Sequence, residues 1–256
     1  MANGDIHFLG SLYIDGTLQR RPSDPKIGGD IPGTSNGVVE IRDSYNNADY
    51  QIRWREVNVG NQKLLVCDRN ILDTTWTHLN SQNLVYGRNI SIDGQQYKIR
   101  LMTGGSERRE GGSGGSNGGG KLPNEWDDII INQGGYSGLP TPTAIDLDEY
   151  QNHQYTVHNS IWNWTTLASW AQEINTYSTD LIATRGNDTA RFYLPRYQGV
   201  YAGWRPVLEV LHSPPSLQFK IDGALKSYSD GHVKVNGELR RIDKMWTRVN
   251  GQLMEV

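Results

Sequence analysis

The chain has 256 residues, of which 25 are Lys or Arg and 28 are Asp or Glu, giving a net charge of −3. Only 36% of residues are hydrophobic, and 8 Trp and 13 Tyr stand against 3 Phe and beside 29 Gly. That mixture fills space with amphipathic rings and excludes a Leu/Ile-packed helical enzyme, while the lack of any Lys/Arg stripe excludes duplex nucleic acid as a partner.

Residues 1–59 read as an N-terminal β/extended arm. Leu12–Leu18 is a predicted hairpin around Asp15-Gly16, a dipeptide suited to a tight turn between β-formers. Arg20–Gly37 is rich in Pro and Gly and is expected to have little core of its own. Val38–Arg42 and Tyr50–Trp54 alternate as strands do, around a turn-like Ser44–Asp49.

Residues 60–211 read as the core domain. Leu64–Cys67 is an apolar strand, and Thr75–Ser81 a short helix with Trp76 and Leu79 on one face. Cys67 is the single cysteine, so no internal disulfide can form, and assembly in a reducing cytoplasm is expected. Asn89–Arg100 is a predicted hairpin turning at Asp93-Gly94. The run Gly104–Gly120 has no apolar residue, so it is expected to be a mobile internal loop; an interdomain linker fits its composition equally well. Pro123–Trp126 marks a helix start continuing through Ile131, and Gly203–Leu211 is a closing apolar strand.

Residues 212–256 repeat. Lys220-Ile221-Asp222-Gly223-Ala224-Leu225, Lys234-Val235-Asn236-Gly237-Glu238-Leu239 and Arg248-Val249-Asn250-Gly251-Gln252-Leu253 recur every 14 residues. Each copy reads basic, β-branched, Asp/Asn, Gly, any residue, Leu. Asp-Gly and Asn-Gly supply the two positive-φ positions of a type I′ turn, so the repeat predicts a C-terminal β-meander, with Asp230-Gly231 at one of its return turns.

Several of these segments resemble tail-associated proteins from phages and prophages of Gram-positive bacteria. They are Leu84–Gly87, Ile92–Gly94, Tyr97–Leu101, Asn124–Asp127, Trp162–Trp164, Ser169–Glu173 and Gly203–Glu209, together with the terminal Val-Asn-Gly repeats. The resemblance covers roughly residues 60–256. The motif order also resembles the C-type-lectin-like fold, which includes formylglycine-generating-type domains and the variable ligand-binding proteins of diversity-generating retroelements. It implies an α+β, β-rich protein with a C-type-lectin-like core that displays a loop-built binding face. Carried over, the display segment is Arg185–Tyr201. The chain departs from the sugar-binding lectins in lacking Glu-Pro-Asn, Gln-Pro-Asp and Trp-Asn-Asp signatures, so calcium-dependent sugar binding is not implied.

Arg185, Asn187, Asp188, Arg191, Tyr193, Tyr197 and Tyr201 give that segment contact-surface chemistry, rigid tyrosine area beside adaptable polar groups. The alternative is a set of scaffold loops satisfying their own backbone. Trp162, Trp164, Trp170 and Trp204 are assigned mostly to the core rather than to stacking on sugars, and Arg205 to buried carbonyls or a carboxylate such as Glu209. Asp146, Asp148 and Glu149 lack the Asp-x-Asp-x-Asp-Gly pattern of a calcium loop and read as a solvated acidic loop, as do Asp127-Asp128. His153 and His158 lack zinc-protease context, and formylglycine chemistry needs a cysteine pair. The reading is therefore a non-catalytic virion component without metal or cofactor. It would recognise a host-surface glycan or protein and be assembled in the host cytoplasm with other tail proteins as a homo-oligomer, a trimer by expectation. A purely structural tail, collar or baseplate subunit is the alternative, and a glycan hydrolase the less favoured one. Met1–Asp5 is no signal peptide and no apolar run reaches the about 18 residues of a membrane span, so release by lysis is expected.

Overall fold

The computed structural model describes residues 2–22, 33–109, 118–148, 156–165 and 167–211, and six strands between residues 217 and 255. Strands dominate and the helices are short. The chain divides into two compact units, Met1–Leu211 and His212–Val256.

In the first unit, β1 (Ile6–Ile14), β2 (Thr17–Leu18), β3 (Val39–Arg42), β4 (Gln51–Val59), β5 (Gln62–Cys67), β7 (Arg88–Ile92), β8 (Gln95–Leu101) and β13 (Pro206–Val210) form one sheet. Its order is β2-β1-β4-β5-β13-β8-β7, with β3 also paired to β1. The expected tight turns are present: Asp15 and Gly16 have φ of 49° and 75°, Asp93 and Gly94 of 50° and 79°. These left-handed values are the ones a two-residue hairpin needs.

The arm expected over residues 1–59 is instead part of this sheet. β4 turns directly into β5, with Trp54 opposite Cys67 and Val59 opposite Gln62. Leu12, Val39, Ile41, Ile52 and Trp54 are buried in the main core. No boundary at residue 59 survives that pairing. Of the Pro/Gly segment, residues 23–32 lie outside the described residues; Thr34 bridges to Asp73 beyond them.

The middle strands are apolar on both faces because both faces are covered. Leu65, Cys67, Ile99, Leu101 and Leu208 face a core shared with Trp170, Ile182 and Trp204. Leu64, Val66 and Val207 face a second core built on Trp126, Ile129, Ile130, Trp162 and Trp164. A second sheet supplies the first covering: β6 (Leu72–Thr75), β9 (Ser169–Ile174), β10 (Leu181–Arg185), β11 (Tyr193–Tyr197) and β12 (Tyr201–Trp204), in the order β11-β10-β9-β12-β6. A π-helical turn at Trp126–Ile130 and α3 (Val157–Trp162) contribute to the second. The predicted helix α1 (Trp76–Ser81) forms, capped by Thr75 Oγ1 accepting from His78 N at 3.1 Å, with Trp76 and Leu79 buried.

The ends of the Gly-rich run are not loose. Lys121 N donates to Glu107 O (2.8 Å), and Arg109 N to Gly119 O (3.1 Å). A Cβ on Gly120 would lie 1.9 Å from Gly104 O, so glycine serves close backbone approach here. Residues 110–117 lie outside the described residues, and both flanks belong to the same unit.

The second unit contains β14 (Leu217–Ile221) with β15 (Ala224–Tyr228), β16 (His232–Val235) with β17 (Glu238–Arg241), and β18 (Trp246–Val249) with β19 (Gln252–Glu255). Ile221 is opposite Ala224, Val235 opposite Glu238 and Val249 opposite Gln252, so each repeat spans a two-residue hairpin connection. Among the described residues these are three separate two-stranded sheets rather than the continuous meander expected. The return turn expected at Asp230-Gly231 lies outside the described residues.

Candidate binding face

The display segment Arg185–Tyr201 divides between interior and surface. Arg185, at the end of β10, is fully buried. Its guanidinium donates to Asp127 Oδ1 (2.7 Å), Gly104 O (2.8 Å), Asn124 Oδ1 (3.2 Å) and Phe192 O (3.2 Å), and lies 5.6 Å from the centre of the Trp126 ring. Tyr193, opposite Arg185 on β11, is also buried, and its hydroxyl accepts from Asn175 Nδ2 at 3.0 Å. Burial raises the Tyr193 pKa. Neither side chain can touch a ligand in this conformation. The contact role expected for both is corrected to a core role, because a charge-paired Arg and a hydrogen-bonded Tyr can be buried without losing their polar partners.

Asn187, Asp188 and Arg191 are half-buried in the loop between β10 and β11. Asn187 takes a left-handed φ of 90° and donates its amide N–H to Trp164 O (2.6 Å) and its side-chain amide to Asp188 Oδ1 (2.7 Å). Arg191 Nε donates to Leu147 O at 3.2 Å, and burial lowers its pKa. These groups hold the loop to its neighbours.

Tyr197 and Tyr201 do reach solvent, at 65% and 42% exposure. Backbone bonds fix their surroundings: Gln198 N donates to Asp180 O (3.0 Å), Thr77 N to Gln198 O (3.2 Å) and Val200 N to Tyr197 O (3.0 Å). The β11–β12 turn, the β9–β10 loop and the first turn of α1 therefore meet at one junction. The same loop carries Tyr177, exposed at 81% and held by an Asx turn in which Asn175 Oδ1 accepts from Tyr177 N at 2.9 Å. Exposed Val200 adds apolar area. Asn36 Nδ2 donates to the Tyr201 hydroxyl at 2.8 Å, and Asn36 Oδ1 accepts from Thr74 Oγ1 at 3.0 Å. Tyr177, Tyr197, Tyr201 and Val200 are thus exposed on or beside these connected segments, with Asn36 bonded to the Tyr201 hydroxyl and Asp180 to the backbone of Gln198.

No protein-family model matches the chain, and no curated protein or solved structure is significantly similar to it.

Sequence reading missed Tyr177 and Asn36. The turn-forming run Asn175–Asp180 between two strands was the available signal for Tyr177; Asn36 had none, because its partner lies 165 positions away.

Most of the other chemistry-bearing residues read from the sequence lie in the interior. Trp162, Trp164, Trp170 and Trp204 are buried. Arg205 is buried and donates to Trp162 O (2.6 Å), Asn163 O (3.0 Å), Cys67 O (3.4 Å) and Ser169 Oγ (3.2 Å); burial pulls its pKa down to about 10. Glu209 pairs instead with Arg100 Nε at 2.5 Å, and Arg100 also forks onto Glu125 at 2.6 Å. Asp146 is not solvated: it is buried, caps α2 (Ala144–Asp148) by accepting from Thr143 N and Oγ1 (2.7 and 2.8 Å), and accepts from Thr156 Oγ1. Asp127 is likewise buried, between Arg185 and Arg109. The side chains of Asp148, Glu149 and His153 lie outside the described residues. Among the described residues, no group of three His, Cys, Asp or Glu could hold a metal, and no helix is long and apolar enough to cross a membrane.

Proposed function

We propose that this chain is a recognition component of a phage tail or phage-like particle. Its first unit would be a C-type-lectin-like scaffold that presents the Tyr177–Tyr197–Tyr201 face to a ligand on the host surface. The observation that carries the reading is the partition of aromatic side chains. The seven Trp of the first unit, from Trp54 to Trp204, are all buried at 4% exposure or less, whereas Tyr177, Tyr197 and Tyr201 are exposed on or beside the β9–β10 loop and the β11–β12 turn, which are joined by the Gln198–Asp180 backbone bond. A rigid aromatic patch with a polar rim is the composition of a contact surface. The fold reading is supported by how the resembling segments meet: Leu101 pairs with Pro206 on the closing strand, Arg205 reaches Trp162 O, and the Trp126 ring lies 5.5 Å from Arg205 Cζ.

The test is attachment. The Tyr177→Ala/Tyr197→Ala double variant, both residues being exposed, is expected to keep the wild-type melting temperature and to bind host cells or purified envelope at least tenfold more weakly, about 1.4 kcal/mol. Undiminished attachment by the folded double variant overturns the reading. It would leave the structural-subunit alternative, in which this face contacts a neighbouring particle protein.

A further inference from the structure

The second unit lacks what a small β module needs to stand alone. Its ladders contain five, four and four residue pairs, and among the described residues each hairpin is a sheet of two strands. A lone two-stranded hairpin is marginal in water, and every strand in one leaves a row of backbone N–H and C=O groups unpaired. The first unit treats its own edges differently. Its edge strand β11 carries Pro195, which cannot donate to an added strand, and Asp73 on the opposite edge strand β6 is bridged by Thr34. The six strands of the second unit contain neither Pro nor Gly.

We propose that His212–Val256 is the module through which copies of this chain associate, by edge-to-edge strand addition between hairpins. The 14-residue repeat identifies the occupant. A partner that pairs all three hairpins must offer strands of the same length at the same spacing, with a two-residue connection at the same place. A second copy of this chain meets that condition by construction. The basic residue two positions before each connection, Lys220, Lys234 and Arg248, acts against open-ended stacking in identical register, because like charges placed opposite one another repel. The proposal does not depend on the ligand reading, since it concerns a different unit and a different measurement.

The experiment compares the full chain with its Leu225→Pro/Leu239→Pro/Leu253→Pro variant by sedimentation equilibrium. The wild type should give a mass of two or more times 28.8 kDa. The variant should fall at least twofold in mass, to the monomer, while keeping the tryptophan-monitored melting transition of the first unit. In the wild type, amide hydrogen exchange over residues 217–255 should be slower than in the variant. A monomeric wild type overturns the proposal, as does a variant that keeps the wild-type mass. If the variant loses the first-unit transition, exchange in the wild type decides: protected amides on the strands support the proposal, and exchange at the rate of an unstructured peptide overturns it.

Discussion

Replacing Asp127 by Asn should cost the first unit about 3–5 kcal/mol, the usual loss when one partner of a buried ion pair is removed. The Asp127 carboxylate is 1% exposed and accepts from Arg185 Nη2 (2.7 Å), Arg109 Nη2 (2.7 Å) and Asn124 Nδ2 (2.8 Å). Asn has nearly the same shape, so packing is retained. The change leaves the fully buried Arg185 guanidinium without its carboxylate and sets an amide N–H₂ against other donors. For a unit of this size the loss corresponds to a melting temperature lower by about 6–20 °C. Calorimetry or urea unfolding followed by tryptophan fluorescence reads it directly, because seven of the eight Trp precede residue 212. The charge-free Asp127→Leu/Arg185→Met pair should cost less than the sum of its single changes, the sign of direct coupling. A loss below about 1 kcal/mol for Asp127→Asn would refute the reasoning. With a concurrent loss of host attachment, it would return Arg185 to the ligand-contacting role read from the sequence.

Three further outcomes follow from buried groups. Cys67 is buried, which with the nearby Asp68 charge pushes its pKa up to about 12, so the native protein should resist thiol reagents at pH 8 and react only on unfolding. Tyr193→Phe should cost about 1–3 kcal/mol by stranding the buried Asn175 amide, whereas Tyr197→Ala should stay within about 0.5 kcal/mol, as urea midpoints will show. His158 is held neutral: its Nδ1 accepts from Trp164 Nε1 (2.9 Å), its Nε2–H donates to Ile130 O (2.7 Å), and burial keeps its pKa below the ordinary 6.5. The unfolded chain takes up the proton first, so this contribution is complete above pH 6.5 and is lost as pH falls from 6.5 towards the folded value. The slope of melting temperature against pH between 6.5 and 5.5 should be smaller in His158→Gln, and an unchanged slope would count against the assignment.

Much of the local structure was legible because it is set by a few neighbouring residues. Asp15-Gly16 and Asp93-Gly94 take the positive φ values their turns demand, Thr75 caps the helix it precedes, and the 14-residue repeat marks three two-residue connections. The first sheet was not legible in that way. Ile6 pairs with Arg55, 49 positions later, and Leu101 with Pro206, 105 positions later. Nothing in the Pro/Gly-rich stretch between β2 and β3 announces that the strands on either side of it belong to the main core, so residues 1–59 read as an arm.

The binding segment shows the same limit at the scale of single side chains. Tyr193 and Tyr197 are four apart on one strand, so alternation places them on the same face, yet one is 1% and the other 65% exposed. The difference comes from what lies over each end of β11: Asn175 meets the Tyr193 hydroxyl, while Tyr197 sits where the strand turns away towards β12. Arg185 misled for a related reason. Arginine is read as a surface residue, because a lone buried guanidinium is prohibitive, but Asp127, 58 positions away, supplies the compensating charge and Trp126 a facing ring. Arg, Tyr and Asn serve equally well to satisfy a polar interior and to build a contact surface. In this chain the neighbours decide which: the half of the segment packed on the π-helical turn became scaffold, and the half at the junction with Tyr177 stayed open to solvent.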